Sequence, residues 1–126
     1  MNLRSPRSVA VGLGSAKHGF SHWWWQRVTA VALIPLTLWF VYSIVFLMNN
    51  DYDQATTWLA SPVNATLMLV FVFAVLFHAQ TGLQVVIEDY IHTKWINLTL
   101  LLVVKFAAVI MAVLATISVL QVALGG

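Results

Sequence analysis

Thirteen residues, HAQTGLQVVIEDY from His78 to Tyr90, hold most of the groups in this chain that could do chemistry. They open on a histidine set inside an apolar run and close on an acidic, aromatic pair, Asp89 and Tyr90, where the run gives way to polar residues. A neutral imidazole can ligate a metal ion, and a carboxylate beside a phenol can organise protons and donate a hydrogen bond to a carbonyl. On a helix, the steps from His78 to Tyr90 cover about 18 Å at ~1.5 Å per residue, which makes them two separate chemical stations. At ~100° per residue, Gly82, Val85 and Asp89 fall within roughly 40° of the His78 direction. That stripe carries a bare backbone patch one turn from the imidazole, against which a flat, bulky ligand could lie.

The elements that position these groups follow from composition. The 126 residues are 61% hydrophobic and only 8% charged, and the mean hydropathy is +0.89. Too little polar surface exists to cover a soluble globule of this size, so the chain is read as an integral membrane protein. The formal charge of +2 is no nucleic-acid footprint, because Arg4, Arg7, Lys17 and Arg27 all precede the first apolar run or sit at its edge. Such clustering is a topology signal. With no cysteine, the chain supplies neither disulfides nor thiolate ligands to a metal or an iron–sulfur cluster.

Residues 1–22 read as a basic, turn-rich surface arm, retained because no short apolar core and cleavage site follow the cations. Next come SHWWWQR, an interfacial anchor of three tryptophans and a cation, and an apolar run over residues 28–48 with Pro35 inside it, which predicts a kink. Residues 49–62 form a polar loop with Asp51 and Asp53 and no cation. A second run spans 63–87, a short connection spans 88–95, and a third run spans 96–122. The expectation is an all-α, three-helix membrane anchor, one domain over 1–126, with helices at about 24–48, 63–88 and 96–122. The cation distribution puts the amino terminus inside and the carboxyl terminus outside. Lys105 interrupts the third run at a depth where a cation is unfavourable by about 2.5–3.5 kcal/mol unless it snorkels or is paired. Both readings stay open, the second with an acid or a cofactor carboxylate across a subunit interface.

His18, His22 and His92 lie in the arm, the interface and a connection, where an imidazole is inexpensive. His78 stands alone at membrane depth. It is either a neutral histidine donating to a carbonyl or threonine of another helix, or an axial ligand to haem iron. One histidine fills one axial position, so a haem held here takes its second ligand from another polypeptide. Arg27, at the inner end of the first helix, is then placed to meet a haem propionate, or else lipid phosphate.

The interfacial QRVTA, the intramembrane H-A-x-x-G-x-x-x-V-I-x-D-Y and the three spans resemble the hydrophobic membrane anchor of succinate dehydrogenase, respiratory complex II, in its D-type form. SAKHGFSHWWWQRVTAVALIPL is similar to the alphaproteobacterial version, and the likeness covers residues from about 15 to 120. The resemblance implies that His78 is the axial ligand to a haem b shared with a second, C-type anchor subunit, and that Arg27 contacts a propionate. It also implies that Tyr90 hydrogen-bonds a ubiquinone carbonyl with Asp89 beside it. The C-type anchor carries an S-x-x-H-R-x-T-G type of segment, which this chain lacks. The triple tryptophan and Lys105 are not part of the family pattern.

Further expectations attach to that resemblance. Flavoprotein and iron–sulfur subunits dock on the inner face and supply electrons, the membrane is the bacterial inner membrane in preference to the mitochondrial one, and there is no nucleic-acid partner. Two other functions remain open at this stage: a fumarate reductase anchor of the same architecture running quinol chemistry in reverse, and a purely structural membrane subunit without cofactor.

Overall fold

The computed structural model describes residues 17–125, with side chains from Gly19 onward, together with Ser5, Pro6 and Ala10. Most of the expected arm therefore lies outside the described residues. Four helices follow in order: α1 (Lys17–Leu47), α2 (Tyr52–Ala60), α3 (Pro62–Tyr90) and α4 (Lys94–Ala123). The three long ones have 31, 29 and 30 residues. At ~1.5 Å per residue each runs about 45 Å, the thickness of a bilayer with its headgroups. All three are long and apolar enough to cross a membrane.

Several boundaries differ from the expectation. Helix α1 starts at Lys17, so the end of the predicted arm and the whole tryptophan run are helical. As expected, it continues through Pro35 as one helix. Proline deprives only the carbonyl four residues earlier of its donor, a loss that a long apolar helix tolerates. The predicted loop 49–62 contains α2. Asp51 caps it, accepting from the Gln54 backbone N–H at 2.9 Å, while Asp53 sits in the first turn, where the helix dipole favours a negative charge. Asp followed three residues later by Gln is an N-terminal capping pattern that was readable in advance.

Helix α3 opens with Pro62 in its first turn, where the missing N–H costs nothing. It runs on to Tyr90, leaving a connection of residues 91–93 only. Asn97, in the first turn of α4, donates to the carbonyls of Ile91 at 2.9 Å and Ile87 at 3.3 Å. The end of α3, where Asp89 and Tyr90 sit, is thereby held by a side chain from the next helix instead of fraying. At the far end of α4, Gly125 takes a positive φ of 74°, and its N–H reaches the Val122 carbonyl at 3.2 Å, closing the helix as a glycine C-cap does.

The packing is organised by α3, which lies along both α1 and α4, while those two share at most a marginal contact among the described residues. Phe40 of α1 stacks on Phe71 of α3 at 4.6 Å, and Trp39 stacks on Trp58 of α2 at 5.8 Å. No dry core results. Among the described residues the buried hydrophobics are Ile87 and Val119, and the buried polar residues are Ser43 and Thr81. Ser43 turns its hydroxyl back to the Trp39 carbonyl at 2.7 Å, satisfying itself within the helix. The remaining apolar faces are left for lipid or partner helices.

Candidate functional site

The α1–α3 contact carries a polar seam at the depth of His78. Antiparallel packing sets Gln26 and Thr29 of α1 opposite Thr81 and His78 of α3, each pair three residues apart and so on one helix face. The Thr29 hydroxyl oxygen lies 3.1 Å from His78 Nδ1. It also lies 2.8 Å from the Trp25 carbonyl and 3.1 Å from that of Gln26. One turn along, the Gln26 carboxamide and the Thr81 hydroxyl are hydrogen-bonded, and Thr81 is only 5% exposed. Two side-chain hydrogen bonds thus latch the helices in register. The expectation that His78 meets either a threonine of another helix or a metal needs no choice between the two, because imidazole has two nitrogens and Thr29 engages only one.

Gly82 is not the open patch that the sequence implied. A β-carbon there would meet Gln26 Nε2 at 3.5 Å, an ordinary contact, so the Gln26 side chain of α1 already covers this position.

The other candidate residues stand apart. Arg27 is exposed, with its guanidinium carbon 5.2 Å from the centre of the Trp23 ring, a cation–π contact. Asp89 and Tyr90 are both exposed at the end of α3, Tyr90 at 77%. Among the described residues no hydrogen bond or ion pair joins Arg27, Asp89 or Tyr90 to His78 or to one another. The tryptophan run, read as an interfacial anchor, divides its contacts: Trp23 carries Arg27, Trp23 and Trp24 lie beside Phe20 at 6.0 and 6.3 Å, and Trp25 meets Phe77 of α3 edge-on at 6.4 Å. One turn before Gln26, His22 has a shielded Nε2 without a hydrogen-bond partner among the described residues.

A second feature occupies the opposite side of α3. Phe73, Phe77 and Gln80 of α3 and Lys105, Ala108 and Ala112 of α4 help line a cavity of about 640 Å³. From Gln80 a polar ladder descends α3: Gln80 donates to Gln84 at 3.4 Å, and Gln84 donates to Glu88 at 2.8 Å. Lys105 therefore shares its cavity with the head of a polar run that ends at the Glu88 carboxylate.

Could the seam hold a haem? No group of three or more histidine, cysteine or acidic side chains that could hold a metal ion gathers among the described residues. A macrocycle that brings its own four nitrogens asks for less. A single imidazole with one nitrogen oriented and the other free suits one axial position.

Fold and site together define a class: a multi-pass helical membrane subunit whose central helix presents one oriented imidazole and whose outer faces await partners. Residues 1–116 match the succinate dehydrogenase/fumarate reductase transmembrane subunit family. The chain is 37% identical over 109 residues to the succinate dehydrogenase hydrophobic membrane anchor subunit of Rickettsia bellii (strain RML369-C), covering 86% of this chain and 87% of that one. It is 33% identical over 90 residues to the corresponding subunit of Paracoccus denitrificans, covering 71% and 70%. It is 31% identical over 86 residues to the mitochondrial succinate dehydrogenase [ubiquinone] cytochrome b small subunit of Neurospora crassa, covering 68% and 42%. No solved structure matches it significantly. The chain belongs to the succinate dehydrogenase/fumarate reductase transmembrane subunit family, as a membrane anchor subunit of succinate dehydrogenase.

Proposed function

We propose that this chain anchors a succinate:ubiquinone oxidoreductase, shares a haem b with a second, C-type anchor subunit through His78, and lends Tyr90 and Asp89 to the ubiquinone-reduction site. The observation that carries the haem reading is the oriented imidazole: Nδ1 of His78 engaged by Thr29 at 3.1 Å, with Nε2 left for iron. The name of the Neurospora relative, a cytochrome b small subunit, supports the same cofactor. Haem b, when bound, supplies a one-electron carrier within the membrane. This chain's residues would hold and orient it: His78 would supply one ligand to the iron, and Arg27, exposed on a long flexible side chain, would donate a charge-assisted hydrogen bond to a propionate.

Ubiquinone is the substrate at the other station. Its reduction takes two electrons and two protons, so each carbonyl needs a hydrogen-bond donor and a route to water. The Tyr90 phenol supplies a donor at the membrane boundary, and the Asp89 carboxylate beside it organises protons. The basic arm and the 91–93 connection then face the inside of a bacterial inner membrane, where flavoprotein and iron–sulfur subunits dock and deliver electrons.

The haem assignment is tested by a reduced-minus-oxidised spectrum of the purified complex. The wild-type complex should show a b-type signal that His78→Ala abolishes or converts to a five-coordinate form. An unchanged low-spin spectrum in the variant would sink the assignment.

A further inference from the structure

We propose that Thr29 is a positioning residue that fixes His78 in its Nδ1–H tautomer and so reserves Nε2 as the ligating nitrogen. This deepens the haem reading and rests on it.

A threonine hydroxyl has one proton and two lone pairs. The Thr29 oxygen has two carbonyl oxygens and one imidazole nitrogen around it, and the shortest contact, 2.8 Å, is to the Trp25 carbonyl one helical turn back. A carbonyl can only accept, so the hydroxyl proton goes to the helix backbone, the usual back-bond of a threonine in an apolar helix. The Thr29 oxygen is then left with lone pairs only. His78 Nδ1, 3.1 Å away, makes a hydrogen bond with it only by carrying the proton and donating. In a neutral imidazole a protonated Nδ1 means an unprotonated Nε2. The reverse arrangement, Thr29 donating to Nδ1, would put the proton on Nε2 and leave neither nitrogen free for a metal. Of the two tautomers, only the first is compatible at once with the back-bond and with ligation.

The geometry also says why Thr29 and not a neighbour does this. The Gln26–Thr81 hydrogen bond one turn along latches α1 to α3, with the Gln26 carboxamide lying over Gly82. Register between the helices thus has a second anchor besides the Thr29 bond. Donation from Nδ1 to an oxygen whose own proton is drawn toward a carbonyl makes the imidazole a stronger donor at Nε2.

Thr29→Val is close to isosteric and removes only the hydroxyl, while Thr29→Ser restores it. In the purified complex the valine variant should retain less haem through detergent washing, with affinity down about 10- to 100-fold. Its haem midpoint potential should rise, because a weaker donor stabilises ferric iron less. The serine variant should restore both. Wild-type potential and retention in Thr29→Val, in a complex whose b-type signal depends on His78, would overturn the role of Thr29 and leave the haem reading standing. A complex with no b-type signal would overturn both. Should the valine variant fail to assemble, nitrogen-15 spectra of the full chain in lipid nanodiscs without haem decide the matter. A protonated Nδ1 on His78 supports the proposal, and a protonated Nε2 overturns it.

Discussion

Tyr90 and His78 share one helix and are given separable work. Tyr90 is the last residue of α3 and 77% exposed, about 120° around the helix from His78 and three turns away. Tyr90→Phe keeps the ring and removes one hydrogen bond. Such a bond to a neutral carbonyl is worth about 0.5–1.5 kcal/mol net, and more as the oxygen gains negative charge. With tenfold in rate for each ~1.4 kcal/mol, ubiquinone reduction should fall roughly tenfold. Succinate oxidation with an artificial acceptor that draws electrons from the soluble subunits should be spared, as should the haem spectrum. Full retention of quinone reduction would place the site elsewhere. At this scale the sequence revealed the ionisable residues and hid their partners. His78 stood out because nothing else titratable interrupts its run. Thr29, Gln26, Thr81 and Asn97 did not, because a lone hydroxyl or amide in a membrane helix is satisfied by its own backbone as often as by a neighbour. The matching three-residue spacing of Gln26 with Thr29 and of His78 with Thr81 becomes a signal only once the two helices are set antiparallel.

At the scale of elements, three apolar runs were enough to predict three spans, since a run of more than about 20 apolar residues has few other uses. Boundaries were harder. Polar and aromatic residues at a membrane surface are compatible with helix and with loop, so α1 begins at Lys17, ahead of the expected 24, and α3 runs to Tyr90, past the expected 88. Helix α2 escaped because its nine residues are too few to span and too polar to attract notice, although its Asp51 cap was legible. Topology can be tested with these elements. Thr57 in α2 and Thr93 in the α3–α4 connection are both exposed. Single cysteines at the two positions should label with an impermeant reagent from opposite sides, Thr93→Cys sharing its side with a cysteine in the amino-terminal arm. Labelling of both from one side would refute a three-span arrangement.

Taken whole, the molecule is a layer of helices waiting for company. A chain whose described core amounts to Ile87 and Val119 among its hydrophobics has apolar faces that lipid or neighbouring helices must cover. Lys105, in a cavity with Gln80 at its wall, adds a charge for which the polar ladder to Glu88 offers a direction. The proposed division of the haem would carry this incompleteness furthest, since one imidazole serves one axial position and the proposal takes the other ligand from a partner anchor. His78→Met in the assembled complex tests that claim most directly, because a thioether is a haem ligand that raises the potential relative to imidazole. If His78 supplies one ligand and the partner the other, the variant should keep a six-coordinate low-spin haem with a raised midpoint potential and a near-infrared histidine–methionine signature in place of a bis-histidine one. A bis-histidine signature and potential unchanged from the wild type would contradict the account.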